Sequence, residues 1–396
     1  VAGSRARRRS ERRAERRRAA RRTTMLAAAS VVVVVGTVSG LISAAGDGRG
    51  TDEARPDTSA SPRPVPLPAV PSASPPPTVS ASPSARPRRT SASPSPTARA
   101  KKKQRTAPVS TALYRHPASR VLDWVRAHPG DPRRPVIESR IADRPAAVWF
   151  ADWSPDTVTA RVKAVTSGGA AQGRVPVVVA YAIPDRDCGG HSEGGAPSLA
   201  AYDDWIDRFA AGLGGGEVVV ILEPDSVAQA DCLSARQRAD RFASLARAGR
   251  VIKEAGPRAR VYFDAGHSGW HTPAKQADLL RQAGAASSAS SDGIFSNVSD
   301  FHGTAGEIAY DRAVLDALGG PSGLGAVIDT SRNGNGAPAD GEWCDPAGRK
   351  LGRAPTLSTG EARIDAYLWV KLPGESDGCQ GEPGSFSPSY AYDLAR

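Results

Sequence analysis

The chain has 396 residues, 23% charged and 40% hydrophobic, with 33 prolines and a formal net charge of +11. The imbalance is local: residues 1–110 hold 22 of the 52 Lys/Arg and 6 of the 41 Asp/Glu, a segment charge of +16 that leaves −5 for the remainder. High overall basicity therefore says nothing about the part able to fold, and gives no ground for a nucleic-acid-binding domain there.

In chain order, residues 1–24 form a basic leader, read as cytoplasmic, and MLAAASVVVVVGTVSGLISAAG follows, an uncharged run over 25–46. A positive segment ahead of an apolar stretch is an export signal. About twenty apolar residues also suffice to cross a bilayer. Ser43-Ala44-Ala45 offers a small-residue cleavage site, so a cleaved signal peptide and a retained signal anchor both stay open. The arginines before Met25 hold the N-terminus inside and send the rest outside. Residues 47–111 are rich in Pro, Ser, Ala and Thr, are basic and lack aromatics, so no core can form and an extended, disordered linker is expected. Such a spacer makes sense if residues 25–46 remain in the membrane as a tether. The expected location is extracellular, secreted or anchored to the outer face of the cell membrane.

Residues 112–396 alternate short apolar runs with helical patterns. The runs are 146–151, 175–184, 218–224, 260–266, 293–298, 324–330 and 364–373. Helices are expected over 198–213, 234–256, 273–284 and 305–319, the last with apolar residues at helical spacing and a Gly stop. Continuous apolar strands between helices indicate parallel βα units. The fold class is therefore α/β, a distorted parallel barrel of about seven strands. Each run ends on polar groups: Asp152; Asp185 and Asp187; Glu223 and Asp225; Asp264 with His267; Asp300 with His302; Asp329 with Arg332; and Glu375 and Asp377 after Lys371. In a parallel barrel these ends share one mouth, where active sites lie.

Four cysteines, Cys188, Cys232, Cys344 and Cys379, fall in this part. An even count in an exported chain favours two disulfides, with three pairings open from the sequence alone, and no spacing resembles a zinc site. Trp149, Trp270, Trp343 and Trp369 sit in or after the strand ends. Flat apolar rings beside carboxylates suit sugars, and two carboxyl groups across a glycosidic bond are what its hydrolysis needs. One must stay protonated, which crowding by other carboxylates and burial both promote. Asp225, near Asp187 and Asp264, has that setting.

YAIPDRDCGG, ILEPDSVAQ, YFDAGHSGWH, VIDTSRNGNG, EWCDP and WVKLPGESDGC, in this order, resemble the bacterial cellulases of glycoside hydrolase family six. The resemblance covers 112–396 and implies a distorted seven-stranded barrel that hydrolyses β-1,4-glucan with inversion, without metal or cofactor. It implies Asp225 as general acid, Asp187 as the residue that raises the acid's pKa and relays a proton, and Asp264 as an aid to substrate binding and charge balance. Asp377 matches the position proposed as base, and Tyr181 would press on the sugar at the cleavage point. Trp149, Trp270 and Trp343 would stack on sugar rings, with His267, Asn297, Lys371 and Glu375 binding the substrate. The pairings Cys188–Cys232 and Cys344–Cys379 follow from the same match.

Two departures stand out: YAIP lacks the asparagine that often follows the tyrosine, and NVSDF places Asp300 and Phe301 where N-x-x-N-Y is usual. Little more than thirty residues separate Cys344 from Cys379, too few for a long covering loop, so an open groove, internal cleavage and soluble or amorphous glucan are expected. A monomer acting on a β-1,4-glucan, with no nucleic-acid partner, completes the expectation. The alternatives are cellobiohydrolase-type action, a metal-dependent hydrolase and a surface glycan-binding protein without turnover.

Overall fold

The computed structural model describes residues 112–396. The leader 1–24, the apolar run 25–46 and the linker 47–111 lie outside the described residues. Among the described residues no helix is long and apolar enough to cross a membrane.

Seven strands form one sheet: β1 (Val148–Phe150), β2 (Val177–Ala180), β3 (Val218–Leu222), β4 (Ala259–Asp264), β5 (Gly293–Ser296), β6 (Gly325–Asp329) and β7 (Ile364–Leu368). Spatial order is chain order, and every neighbouring pair is parallel. Helices α1 (Arg120–Ala127) and α2 (Arg134–Ile137) precede the sheet. α3 (Pro155–Ala171), α4 (Leu199–Ala211), α5 (Ala235–Ala255), α6 (Pro273–Gln282) and α7 (Thr304–Leu318) connect β1 through β6, and α8 (Pro388–Ala395) follows β7. Between β6 and β7 the chain crosses by a long loop, 330–363, without a helix.

The strands read as unbroken apolar runs because both faces are covered. Val178, Val220 and Val261 point outward to Trp205, Phe209 and Leu245 of the helices. Val179, Val219, Ile221 and Tyr262 point inward and meet Phe295, Val327 and Leu368. Burying each such side chain contributes about 1.5–3 kcal/mol. The helices begin where the sequence caps them: Ser198 accepts from the Ala201 amide and Thr272 from the Lys275 amide, while Ser234 and Gln237 form a reciprocal capping box.

The sheet curls into a half-barrel. β1 and β7 do not pair as strands; Ala147 N donates to Trp369 O at 2.9 Å and Trp149 Nε1 to Val370 O at 2.7 Å across the seam. At β5, Gly293 holds φ +148°, and a Cβ there would lie 1.7 Å from Gly325 O, so only glycine permits this approach of β5 to β6.

Candidate active site

All seven strand C-termini point to one face, and β3 delivers Glu-Pro-Asp there. Glu223 and Asp225 both adopt left-handed backbone, φ +52° and +70°, which is strained for side chains with a Cβ and typical of functional turns. The two carboxylates part company. Glu223 is fully buried and accepts the amides of Ala182 at 2.9 Å and Ile183 at 3.0 Å, clamping the loop after β2 to the end of β3. Burial pushes it up to about 7 against the pull of those amides. Asp225 is partly exposed, and Tyr181 Oη donates to its Oδ2 at 3.4 Å. Burial, then the nearby carboxylates of Asp264, Asp187 and Asp300, hold the Asp225 carboxyl far above the usual carboxylate range. These surroundings favour the protonated form.

Asp264 ends β4 and is buried. Its Oδ2 accepts the amides of Val227 at 3.0 Å and Ala228 at 2.8 Å, and its Oδ1 that of Gly266 at 3.0 Å. Oδ2 holds the loop that carries Asp225, and Oδ1 the start of the loop after β4. Asp264 thus positions the loop that carries Asp225 from beneath. Asp329, at the end of β6, does the same with the amides of Ser331, Lys371 and Ser299. Glu223, Asp264 and Asp329 are thus loop clamps, because the amides of neighbouring loops turn inward at these strand ends and need acceptors.

Asp187 stands in a short turn after β2, half-buried, with Oδ2 accepting the Ser192 amide at 2.7 Å and Oδ1 3.5 Å from Gln229 Nε2. The disulfide Cys188–Cys232 ties this turn to the loop after β3. A second disulfide, Cys344–Cys379, ties the β6–β7 loop to the loop after β7. Asp377 is nearly buried, with Arg332 Nη1 at 2.7 Å from Oδ2 and Lys371 Nζ at 3.1 Å from Oδ1. Arg332 is wholly buried, lies 4.4 Å over the Phe301 ring and donates to Ser299 O. Glu375, nearby, is pushed up to about 7 by burial although Lys371 and Arg120 draw it down.

The rings of His267 and His302 stack at 4.2 Å, and both Nε2 atoms face Asp300, at 3.4 and 3.7 Å. Two imidazoles and a carboxylate this close could hold a metal ion. However, Gly269 N donates to His267 Nδ1 at 3.1 Å, which places the proton on Nε2, where a cation would need the lone pair. In this tautomer His267 does not offer Nε2 to a metal, and both histidines lie at ion-pair distance from Asp300. Burial draws His267 below its ordinary value, against Asp300.

Residues 106–392 match Glycosyl hydrolases family 6. The chain belongs to glycosyl hydrolase family 6. It is similar to Endoglucanase 1 of Streptomyces sp. (strain KSM-9), 54% identical over 291 residues that make 73% of this chain and 79% of that one. Endoglucanase A of Thermobispora bispora is 50% identical over 284 residues, 72% of this chain and 61% of its own length. Among solved structures, the endoglucanase Cel6 from Mycobacterium tuberculosis, in complex with methyl-cellobiosyl-4-deoxy-4-thio-β-D-cellobioside, superposes with a TM-score of 0.66 at 39% identity, covering 72% of this chain and 96% of that one.

Within this family 6 domain the sequence-derived residues are distributed unevenly. Trp149 stands edge-on to Tyr181 at 5.3 Å, and Trp270 leans on His267 at 5.3 Å. Trp343 is 52% exposed and meets the His191 ring at 5.6 Å. Lys371 reaches Asp377 and the carbonyl of Ser376. Asn297 is wholly buried, donates to the carbonyls of His302 and Asp329 and accepts the His302 amide, so it shapes the loop under the cleft. Trp369 is buried, with its indole nitrogen on Arg353 O. Sequence reasoning missed Asp345, buried beside the second disulfide, which accepts the Ser376 hydroxyl at 2.6 Å and the amides of Asp377, Cys379 and Gln380. Its only signal was its place after Cys344.

Proposed function

We propose that this glycoside hydrolase is a cellulase that cuts internal β-1,4-glucosidic bonds of soluble or amorphous glucan, with inversion at the anomeric carbon. The observation that carries this reading is Asp225: a partly exposed carboxyl on a left-handed turn, kept protonated by burial and by Asp264, Asp187 and Asp300, with Tyr181 on its oxygen. Asp225 gives its proton to the glycosidic oxygen as the bond breaks. Water attacks from the opposite side of the sugar. Asp187, half-exposed and fixed by Ser192, supports the acid's charge and takes part in relaying the proton lost by the water. Asp377 matches the base position; with its oxygens on Arg332 and Lys371, it anchors the charge of that side of the cleft and orients Lys371 toward substrate hydroxyls. Trp149, Trp270 and Trp343 offer faces for sugar rings, and the endoglucanase relatives support β-glucan as the substrate class.

Internal cleavage is tested by following viscosity and reducing ends together on carboxymethyl cellulose and barley β-glucan. A steep early fall in viscosity is expected. Cellobiose release at nearly constant viscosity would favour cellobiohydrolase-type action. Binding without any reducing sugar would favour a glycan-binding protein.

Two disulfides fit an oxidising compartment outside the cytoplasm. The tether reading rests on the sequence of 25–46, and fractionating the producing cells tests it: full-length enzyme in membranes supports an anchor, soluble enzyme beginning near Gly46 a cleaved signal.

A further inference from the structure

Two large apolar side chains stand exposed among the described residues, Trp153 at 38% and Trp343 at 52%. A single exposed tryptophan is ordinary on a protein surface. Here both follow strand C-termini, so both belong to the face that carries Asp225, Asp187 and Asp377. Trp343 already has a place in the cleft. Trp153 lies outside every motif that carries the family resemblance, and no role in the mechanism above uses it.

Its surroundings are set by the end of β1 and the loop that follows it. Trp149 and Ala151 pack against the barrel interior, while Phe150 points outward to Phe209, with Arg161 of α3 over its ring at 5.3 Å. Asp152 continues the outward turn: Arg161 Nη1 bonds its Oδ2 at 2.7 Å, and the Ser154 hydroxyl donates to the same oxygen at 2.7 Å. With Asp152 held on the helix side, Trp153 follows it in the loop after the C-terminal end of β1 and leaves its ring exposed there. At about 3.3 Å per residue, the step from Trp149 to Trp153 reaches up to about 13 Å, enough to meet a different ring of the same glucan chain.

We propose that Trp153 is a sugar-stacking platform at the outer end of the cleft, binding a pyranose ring of a β-glucan chain beyond those held at Trp149 and Tyr181. The proposal rests on the glucanase reading and adds a site to it. A β-linked glucose ring presents C–H bonds on both faces, which cover an indole and release its hydration water. The Arg161–Asp152–Ser154 bonds hold the loop in place, so little ordering is lost when the sugar docks.

The test measures binding of cellohexaose and cellotriose by calorimetry in the Asp225→Asn protein, alone, with Trp153→Ala and with Trp153→Tyr. Because Trp153 is exposed, the Trp153→Ala variant folds, which its thermal melt verifies. Affinity for cellohexaose is expected to weaken roughly 3- to 10-fold on Trp153→Ala, with a smaller loss for cellotriose. Tyrosine restores most of it. Cellohexaose affinity unchanged by Trp153→Ala overturns the platform and leaves the glucanase reading standing. Absence of binding of either oligosaccharide by any of these proteins overturns both.

Discussion

Asp345 and Asp377 hold each other through their backbones: Asp377 N donates to Asp345 Oδ1 at 2.6 Å, and Asp345 N donates to Asp377 Oδ2 at 3.1 Å. The pair fixes the loop that presents Asp377, and the flanking disulfide Cys344–Cys379 closes the same unit covalently. Asp345→Ala removes the acceptor for the Ser376 hydroxyl and three amides in a buried setting. A loss of about 2–4 kcal/mol of stability is expected, together with a drop in kcat, since Asp377 loses its register with Arg332 and Lys371. Burial works to raise the Asp345 pKa, but the Ser376 hydroxyl and the amides win and hold it below the ordinary value. Its stabilisation is therefore present above the unfolded-state value and disappears as pH falls through the folded one. Denaturant unfolding of both proteins from pH 6 to pH 3 measures this. A constant difference across that range would mean that the carboxylate's charge has no part.

Asp225→Asn is expected to lower hydrolysis of unactivated glucan about 10²- to 10⁴-fold while the thermal melt shows a folded protein. Asparagine keeps the shape and the Tyr181 contact but has no proton to give. Retention of most wild-type activity on barley β-glucan would remove Asp225 from the acid role.

The acid must be protonated to act, so activity falls as pH rises through the Asp225 pKa. Neighbouring carboxylates raise that pKa, and Asp300 is the one that departs from the usual family pattern. Removing its charge in Asp300→Asn lowers the Asp225 pKa, and the alkaline limb of the kcat/KM profile moves to lower pH. A limb that stays in place, or moves upward, contradicts the assignment of that limb to Asp225.

The strands were legible in the sequence because a parallel sheet covered on both faces writes each strand as an unbroken apolar run. Expected 218–224 and observed Val218–Leu222 differ only where the loop begins. The helices were legible from their period. What sequence position could not tell is which strand-end carboxylates look into the cleft. Glu223 and Asp225 are two residues apart, yet one is a buried clamp and the other a partly exposed carboxyl, because only Glu223 meets the inward amides of Ala182 and Ile183. That distinction depends on loops remote in sequence, as does the burial of Asn297.

Glu223 offers a second pH experiment. Its folded value of about 7 lies above the ordinary glutamate value of 4.5. Between these values the unfolded chain gives up a proton that the folded protein keeps, so stability is full below the lower one and declines as pH rises through the upper one. The expected decline is on the order of 3 kcal/mol. Glu223→Gln, less stable at pH 5 for want of one acceptor, should show a flatter profile between pH 5 and 8. Equal slopes for the two proteins would assign the decline to other groups.

Stereochemistry tests the division of labour in the cleft. A retaining enzyme needs a second carboxylate free to bond the anomeric carbon, only about 5–5.5 Å from the acid. Asp377 is not free in that sense: Arg332 and Lys371 hold one oxygen each, and the Asp345 amide shares Oδ2. It also comes from β7, whereas Asp225 comes from β3, so the two approach from strands that are not neighbours in the sheet. Asp187 is tied by the Ser192 amide through one oxygen, with the other 3.5 Å from Gln229 Nε2. The direct attack by water proposed above requires the acid and its partner carboxylate to stand roughly 6.5–9.5 Å apart. The first product from a β-linked glucan is then the α-anomer, seen by proton NMR before mutarotation. A β-anomer appearing first would mean a covalent glycosyl-enzyme, and would require one of these carboxylates to leave the contacts described above.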